Sequence, residues 1–178
     1  PFTFMIGDRD QAFGRLQRCL AFDKAIKSFR GNRKGIYPVQ MLLKPGLGHT
    51  GLPDRDQLAS MCPAVRNPLP VSIAWEPTDS VVSRFAWLEI PAPAKHQLVE
   101  ATRKGNRFEI KLSGIQALNL YLNERMVDFS KPVVVQVNGE TVLERACVPS
   151  LSVLCQTLQE RGDPNFGFTA KIPLPLGR

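Results

Sequence analysis

The sequence predicts an α/β segment over residues 1–66, followed by a β-sandwich-like domain with one helix over residues 67–178. Three observations lead to this prediction. The first third of the chain has the order strand, helix, strand, loop, which is typical of an α/β unit. The prolines of Arg66-Asn67-Pro68-Leu69-Pro70 then hold the chain extended. Beyond them, hydrophobic residues alternate in short runs between turns, as in sandwiches.

The first segment begins with a short apolar run, residues 2–6, that predicts a buried strand. Apolar residues at helical spacing predict a helix over residues 11–30, with Asp10 as its N-cap and Gly31 as its C-cap. A second strand is predicted from Ile36 to Lys44. Along the chain, the predicted helix therefore lies between two predicted strands.

A glycine-rich loop, Pro45 to Gly51, follows the second strand. A second helix is predicted from Asp54, as its N-cap, to the neighbourhood of Pro63. Two strands cannot bury both faces of a parallel sheet. We therefore expect this segment either to pack its helices on the second domain or to associate as a homo-oligomer through its unpaired strands.

The second segment contains seven or eight predicted strands and one helix. Lys104-Gly105-Asn106 predicts one hairpin turn, and Asn138-Gly139 predicts a two-residue type I′ turn. The helix is predicted between Ser150, as N-cap, and Gly162, with Leu151, Leu154, Cys155 and Leu158 on one apolar face. The strands are predicted around Val71-Ile73-Trp75, Phe85-Trp87-Glu89, Leu98 to Thr102, Phe108-Ile110-Leu112, Leu118-Leu120-Leu122, Val133-Val135-Val137, Val142-Leu143 and Phe166 to Leu174.

Composition excludes several classes of protein. With 43% hydrophobic and 22% charged residues, the sequence is typical of a folded chain rather than a disordered or fibrous one. The longest apolar runs are far shorter than the ~20 residues of a membrane span, so no membrane partner is expected. The chain opens on strand-like sequence without an initiator Met, which favours a fragment or a processed product.

The net charge of +7 is concentrated in the first third of the chain. The basic residues are densest at Lys24, Lys27, Arg30, Arg33 and Lys34. We interpret this cluster as a solvated helix face and the loop after it. Binding of nucleic acid is the weaker alternative, because no aromatic residues stand among these cations at the spacing of a stacking surface, Phe29 excepted.

The four cysteines, Cys19, Cys62, Cys147 and Cys155, show neither a C-x-x-C pair nor zinc-finger spacing with His49 or His96. We therefore predict no metal site and no cofactor, and reduced, inert thiols. Cys19 and Cys155 are expected on apolar helix faces. Cys62 is not favoured as a nucleophile, because it precedes a proline and no neighbouring charge is assigned to lower its pKa.

Candidate catalytic residues follow the two strands of the first segment. His49 ends the loop Pro45-Gly46-Leu47-Gly48-His49, and Gly7-Asp8-Arg9-Asp10 follows the first strand. In a parallel sheet, both loops open at the same edge. An aspartate there can orient a histidine that acts as a general base. The candidate pair is Asp10 with His49, and Asp8 is the alternative acid.

These motifs resemble the last two strands of an α/β-hydrolase of the esterase and peptidase type. Ile6-Gly7-Asp8-Arg9-Asp10 is similar to the G-x-x-D at the end of a strand in that family, and Gly46-Leu47-Gly48-His49 is similar to its histidine loop. The resemblance implies that residues 1–66 are the C-terminal part of such a domain, with Asp10 as the triad acid and His49 as the triad base.

Residues 67–178 resemble a β-rich module that follows the hydrolase domain in some bacterial proteins. The similar segments are Arg84-Phe85-Ala86-Trp87-Leu88, Lys131 to Gly139 and Glu160-Arg161-Gly162-Asp163-Pro164. The resemblance implies a substrate with an ester or peptide bond and a bacterial, exported protein. The sequence shows no signal peptide that would support export.

The sequence departs from the hydrolase pattern in one essential respect. It contains no G-x-S-x-G nucleophile elbow and no oxyanion-hole loop of the HGGG kind. The chain is therefore expected to be inactive alone and to need a missing N-terminal hydrolase portion, or another chain, to donate the serine.

The alternative function is a non-catalytic β-sandwich module that binds a glycan, a polymer or a protein partner. Trp75, Phe85 and Trp87 could form a stacking surface for a sugar, but alternation places Phe85 and Trp87 on one face, which favours a place in the core. His96, in a proline-flanked loop, is expected to be a surface residue.

Overall fold

The computed structural model describes residues 2–32 and 38–176. The chain divides into two compact units, residues 1–66 and residues 67–178. Strands account for 33% of the structure and helices for 24%. Within the described residues, none of the helices combines the length and the hydropathy that a membrane span requires.

The first unit is built around two parallel strands. They pair in register from Phe2 opposite Val39 to Gly7 opposite Lys44, so their carboxyl ends lie at the same edge. A helix connects them along the chain. The elements are β1 (Phe2–Gly7), a 3₁₀ turn (Ala12–Gly14), α1 (Arg15–Arg30), β2 (Val39–Lys44), a second 3₁₀ turn (Asp54–Gln57) and α2 (Leu58–Met61).

The helix after β1 begins later than the sequence predicts. Phe13 and Gly14 have positive φ angles of 55° and 67°, which interrupts helical geometry before Arg15. The prediction that Asp10 caps the helix is therefore wrong, because Gly14 occupies the N-cap position. The C-cap prediction is confirmed, since Gly31 ends α1 with φ of 50°.

Within the described residues, β2 and α2 are both shorter than the sequence predicts. The predicted strand residues Ile36 and Tyr37 lie outside the described residues, and β2 begins at Val39. Asp54 does not occupy the predicted N-cap position, because Pro53 stands there and Asp54 is the first residue of the 3₁₀ turn.

The first unit buries little apolar surface. Among its described residues, Ile6 is the one buried hydrophobic side chain, and α1 contains no buried residue. Helix and sheet meet through the rings of Phe4 and Phe22, whose centroids are 5.5 Å apart in an edge arrangement. Phe22 and Phe29 nevertheless remain 45% and 59% exposed.

The second unit consists of two sheets, one helix and a 3₁₀ turn. The five-stranded sheet has the order β10-β9-β7-β6-β3 and is antiparallel except for the pair β7 and β9. The four-stranded sheet has the order β11-β8-β5-β4 and is antiparallel. The elements are β3 (Ser72–Trp75), β4 (Arg84–Phe85), β5 (Leu88–Glu89), β6 (Leu98–Lys104), β7 (Arg107–Ser113), β8 (Ala117–Leu122), β9 (Val133–Val137), β10 (Glu140–Arg145), α3 (Leu151–Arg161), the turn Pro164–Phe166 and β11 (Ala170–Pro175).

Both sheets of the second unit contribute to one hydrophobic core. Phe108 and Val135 come from the five-stranded sheet, and Leu120 and Ile172 from the four-stranded sheet. The rings of Trp87 and Phe108 meet edge to face with centroids 5.4 Å apart. Trp87 and Phe108 are both fully buried, so this contact lies inside the core.

Turn chemistry in the second unit follows the sequence closely. Gly105-Asn106 joins β6 to β7, and Asn138-Gly139 joins β9 to β10 with positive φ at both positions, as a type I′ turn requires. Both hairpin predictions are confirmed.

The single strand predicted through Phe85-Trp87-Glu89 is wrong. Ala86, with φ of 51°, turns the chain between β4 and β5, and Phe85 pairs with Leu88 across the hairpin. Phe85 and Trp87 therefore do not share a face. Trp87 is fully buried, whereas Phe85 is 47% exposed.

The helix α3 has the predicted position, and Gly162 ends it in the left-handed conformation. Its predicted apolar face is wrong in part, because Leu151 and Cys155 are exposed. The buried residue is Thr157, whose hydroxyl accepts a hydrogen bond from the backbone N–H of Phe168 at 3.1 Å. The face of α3 that carries Thr157 is therefore the one that packs against the rest of the second unit.

The predicted fold class, the last two strands and helices of an α/β-hydrolase sheet followed by a β-sandwich-like domain with one helix, is wrong. The described structure is mostly strands in three sheets with few helices, and no α/β-hydrolase fold is evident in it. The physical reason is that most strand pairs in the described structure are antiparallel. Parallel pairing with a helical connection is confined to β1 and β2, and one helix without buried residues does not cover a sheet on both faces.

We expect Phe108→Ala to lower the free energy of unfolding of the second unit by about 3–5 kcal/mol, because it leaves a cavity beside Trp87. Phe85→Ala is the matched control and should cost only about 1 kcal/mol, since Phe85 is half exposed. Urea unfolding followed by tryptophan fluorescence measures both, because Trp75 and Trp87 lie in this unit. Equal losses would contradict the position of the core.

Candidate functional site

The candidate site lies where the two parallel strands end. Backbone hydrogen bonds join the turn after β1 to the loop after β2: Asp8 N–H donates to the Lys44 carbonyl at 3.1 Å, and Arg9 N–H donates to the Leu47 carbonyl at 3.0 Å. The carboxylate of Asp8 accepts a third bond from the Gly46 N–H at 2.8 Å. These bonds fix the loop that carries His49 against the turn that carries Asp10.

Close packing at Gly7 brings the two loops together. A Cβ at this position would lie 2.1 Å from the carbonyl oxygen of Leu47 and 2.5 Å from that of Gly48. Real Cβ atoms do not approach backbone oxygens this closely. Only glycine therefore allows the His49 loop to cross the end of β1.

Asp10 and His49 form the central contact of the site. Nδ1 of His49 lies 3.0 Å from Oδ2 of Asp10. The Asp10 side chain is 1% exposed, whereas that of His49 is 66% exposed. With a neutral imidazole, Nδ1–H donates to the carboxylate, and Nε2 is left as an acceptor. Within the described residues, Nε2 has no hydrogen-bond partner.

The other oxygen of Asp10 binds Arg15, the first residue of α1. Nε and Nη2 of Arg15 both lie 2.7 Å from Oδ1. This hydrogen bond holds the pKa of Asp10 below its ordinary value against the opposing effect of burial, and His49 adds to the lowering. Asp10 is therefore ionised when it accepts the hydrogen bond from Nδ1–H of His49.

A cleft of about 320 Å³ opens beside this pair. Among the described residues, its lining contains the thiol of Cys19 but neither a serine nor a threonine. The lining residues are Met5, Ile6, Asp10, Arg15, Arg18, Cys19, His49 and Leu52. The arrangement can hold and transfer a proton at Nε2, but the cleft contains no hydroxyl nucleophile.

The other predicted residues lie elsewhere. Asp8, the alternative acid, binds the Gly46 backbone. Cys62 and His96 are exposed. All four cysteines are free; Cys147 is buried, Cys19 is half-buried and Cys155 is exposed, so the expectation of a buried Cys155 is wrong.

The predicted basic cluster on α1 is only partly described. Lys27 pairs with Asp23 at 2.6 Å, and Nη2 of Arg30 donates to the Val39 carbonyl at 2.8 Å. Arg33 and Lys34 lie outside the described residues. Within the described part, two of these cations thus have contacts inside their own unit.

A second polar cluster lies on the four-stranded sheet around Glu89. Its Oε2 accepts hydrogen bonds from Asn119 at 2.7 Å and Tyr121 at 2.9 Å, and pairs with Lys171 at 3.0 Å. Its Oε1 accepts two bonds from Arg84 at 3.0 Å. Burial opposes ionisation, but the bonds from Asn119, Lys171, Tyr121 and Arg84 prevail and lower the pKa of Glu89 to about 2.

We interpret the Glu89 cluster as a structural hydrogen-bond and ion-pair network. It joins strands β4, β5, β8 and β11, and Arg84 also pairs with Glu160 on α3. Both oxygens of Glu89 are occupied by donors of the same unit. This arrangement leaves no lone pair of the carboxylate directed at an incoming ligand.

Sequence reasoning missed Arg15, Gly7 and the Glu89 cluster. Arg15 gave no signal, because the turn at Phe13 and Gly14 that brings it to Asp10 was not predicted. For the Glu89 cluster a signal existed: Asn119 and Tyr121 alternate with the leucines of β8, which places both on the other face of that strand.

Among the described residues, no group of three or more His, Cys, Asp or Glu side chains could hold a metal ion. Comparison with known proteins finds no matching family model, no matching curated protein and no matching solved structure. The resemblance to hydrolases thus depends on the quoted motifs alone.

We expect Gly7→Ala to separate the His49 loop from β1 and to cost about 1–3 kcal/mol, because the new methyl group overlaps two backbone carbonyls. Gly48→Ala, in the same loop, is the matched control: its Cβ meets nothing within 4 Å, and its φ is not in the left-handed region. Thermal unfolding and the NMR signals of His49 measure both effects. A Gly7→Ala variant that matches Gly48→Ala would contradict the close approach.

The free energy of unfolding should fall as the pH drops from about 4.5 to about 2, since the lowered pKa of Glu89 gives stabilisation that is complete above its unfolded value and is lost on protonation. Glu89→Gln should cost about 2 kcal/mol at neutral pH and flatten this decline. Asp128, whose pKa the Ser130 side chain helps to lower to about 2, remains in both proteins, so their difference isolates Glu89. Parallel pH profiles would contradict the assignment.

Proposed function

We propose that residues 1–66 carry the acid and the base of a serine-dependent acyl hydrolase that acts on an ester or peptide bond. The observation that carries this proposal is the hydrogen bond of 3.0 Å between a buried Asp10 and an exposed His49. The acid fixes the tautomer of the base, and the base presents its second nitrogen to solvent. The nucleophilic serine comes from outside these 178 residues.

The chemistry follows from the two nitrogens of His49. Nε2 accepts the proton of the serine hydroxyl as its oxygen attacks the acyl carbon. Asp10, ionised and bound to Nδ1–H, stabilises the imidazolium that forms. Nε2 then returns the proton to the leaving alcohol or amine, and water repeats the sequence to release the acid.

The absence of a nucleophile elbow supports the second part of the proposal. No G-x-S-x-G occurs in the sequence, and in the part of the chain that the structure describes neither a serine nor a threonine lines the cleft beside His49. An acid and a base without a nucleophile leave no group to attack the carbonyl. The 178-residue chain is therefore inactive alone.

A polypeptide that supplies the serine must reach the carboxyl ends of β1 and β2. Each strand of a two-stranded sheet has one unpaired edge, which is a natural docking position for a further strand. We propose that the missing portion binds there. Self-association through the same edges is the competing arrangement, and the mass of the purified chain in solution distinguishes it.

The test is labelling with a fluorophosphonate probe. The isolated chain should give no adduct, whereas the native protein, purified from its source with an antibody to residues 67–178, should be labelled on a serine and hydrolyse p-nitrophenyl esters. In that protein, His49→Ala and Asp10→Asn should each lower kcat/KM by about 10³-fold or more. His96→Ala is the matched control and should leave kcat/KM unchanged, because His96 is exposed and far along the chain.

Two results would contradict the proposal. One is an adduct on a serine of the isolated chain, which would make the chain a complete enzyme. The other is esterase activity of the native protein that persists in the His49→Ala variant, which would place the base elsewhere. Labelling of Cys19 instead of a serine is checked with Cys19→Ala, since this thiol lines the same cleft.

The alternative function, a non-catalytic module that binds a glycan, a polymer or a protein, is favoured by one aromatic pair, in which Trp75 is partly buried and Phe85 is exposed. The rings of Trp75 and Phe85 have centroids 5.9 Å apart, and Phe85 is 47% exposed. Exposed aromatic faces bind sugars and apolar partner surfaces. Under this function, ligand binding is lost in Phe85→Ala and survives His49→Ala.

A further inference from the structure

Arg15 and His49 divide the two oxygens of Asp10 between them. Both contacts of Arg15 reach Oδ1, and the contact of His49 reaches Oδ2. A carboxylate bound only by His49 could rotate and exchange its oxygens, because the torsion about its terminal bond is broad. The bond to Arg15 removes this freedom.

The backbone around Arg15 is built to place its guanidinium at Asp10. Phe13 and Gly14, both with positive φ, turn the chain so that α1 starts at Arg15. The Leu16 N–H donates to the Asp10 carbonyl at 3.2 Å. A phenylalanine at φ of 55° is strained, and such strain persists only where the surrounding contacts maintain it.

Arginine suits this position better than lysine. Its planar group offers Nε and Nη2 side by side, and both reach one oxygen at 2.7 Å. The Arg15 guanidinium also lies 5.5 Å from the ring centroid of Phe13, which restricts it on a second side. Its orientation, and that of the carboxylate, are therefore fixed together.

We propose that Arg15 is a positioning residue: it holds Oδ1 of Asp10 so that Oδ2 stays directed at Nδ1 of His49, and Nε2 stays free to accept a proton. This inference rests on the proposed function and deepens it. A misdirected carboxylate allows the proton to move to Nε2, which removes the acceptor. In the active protein, Arg15→Gln is expected to lower kcat by about 10²-fold without a matching change in KM.

The deciding experiment uses ¹⁵N NMR of the imidazole groups in the 178-residue chain. Only His49 and His96 contribute, and His96→Ala assigns them. The wild type should show the Nδ1–H tautomer of His49. Arg15→Gln should give a mixture of tautomers and raise the pKa of Asp10 towards its ordinary value, whereas Arg15→Lys, which keeps the charge but not the planar pair of donors, should restore the wild-type signal only in part.

Arg18→Gln is the matched control. Arg18 lies on the same helix and lines the same cleft, but among the described contacts it does not bind Asp10. It should leave the His49 tautomer unchanged. A wild-type tautomer in Arg15→Gln, or an equal mixture in Arg18→Gln, would overturn the proposal.

A wild-type measurement covers the case in which Arg15→Gln does not fold. With the imidazole already protonated at acid pH, the protonation of Asp10 should change the Nε–H signal of Arg15 and the Nδ1–H signal of His49 with one common midpoint. Separate midpoints would overturn the proposal. These signals require no nucleophile, so they decide the role of Arg15 independently of whether labelling supports the hydrolase.

Discussion

The geometry of the first unit depends on the burial of one carboxylate. Asp10 is almost fully removed from water, and a buried charge must be paired with charged or hydrogen-bonding groups. Its partners come from two directions, Arg15 at the start of α1 and His49 in the loop after β2. Asp10 therefore joins three segments: the turn after β1, the start of α1 and the loop after β2. The unit has little apolar core to do this, because Ile6 is its one buried hydrophobic side chain among the described residues.

Asp10, which is buried, and Glu89, which is half-buried, show how similar groups come to different uses. Glu89 is enclosed by donors of its own unit, and its carboxylate connects neighbouring strands through hydrogen bonds and ion pairs. Asp10 binds Arg15 with one oxygen and His49 with the other, and the side chain of His49 is largely exposed. Both carboxylates have a lowered pKa, so a perturbed pKa does not separate them. The exposure of the partner separates them, since a group that transfers a proton must meet both its orienting acid and its substrate.

The sequence predicted the parts of this structure that short stretches of chain determine. Asn138-Gly139 requires a type I′ hairpin, and the loops after β1 and β2 open at one edge because the strands are parallel. Predictions were wrong at two residues, Ala86 and Phe13, whose positive φ no sequence signal indicates. Ala86 divides one predicted strand into two, and Phe13 delays the start of α1 and brings Arg15 to Asp10. The fold class was wrong because similar motifs at the ends of two strands do not specify the number of strands around them.

The first unit contains the residues that set the geometry of the site, but it covers little of the apolar surface around that site. Gly7 and the bonds of Asp8 and Arg9 to the following loop set the distance between Asp10 and His49 locally, without a large core. The apolar side chains of α1, in contrast, remain largely exposed, with Phe29 at 59%. Under the proposed function, the missing serine must also come from other residues. A single polypeptide that covers α1 and the sheet while it brings the serine to Nε2 satisfies both needs, since an acid and base set in advance need only a nucleophile at the correct distance.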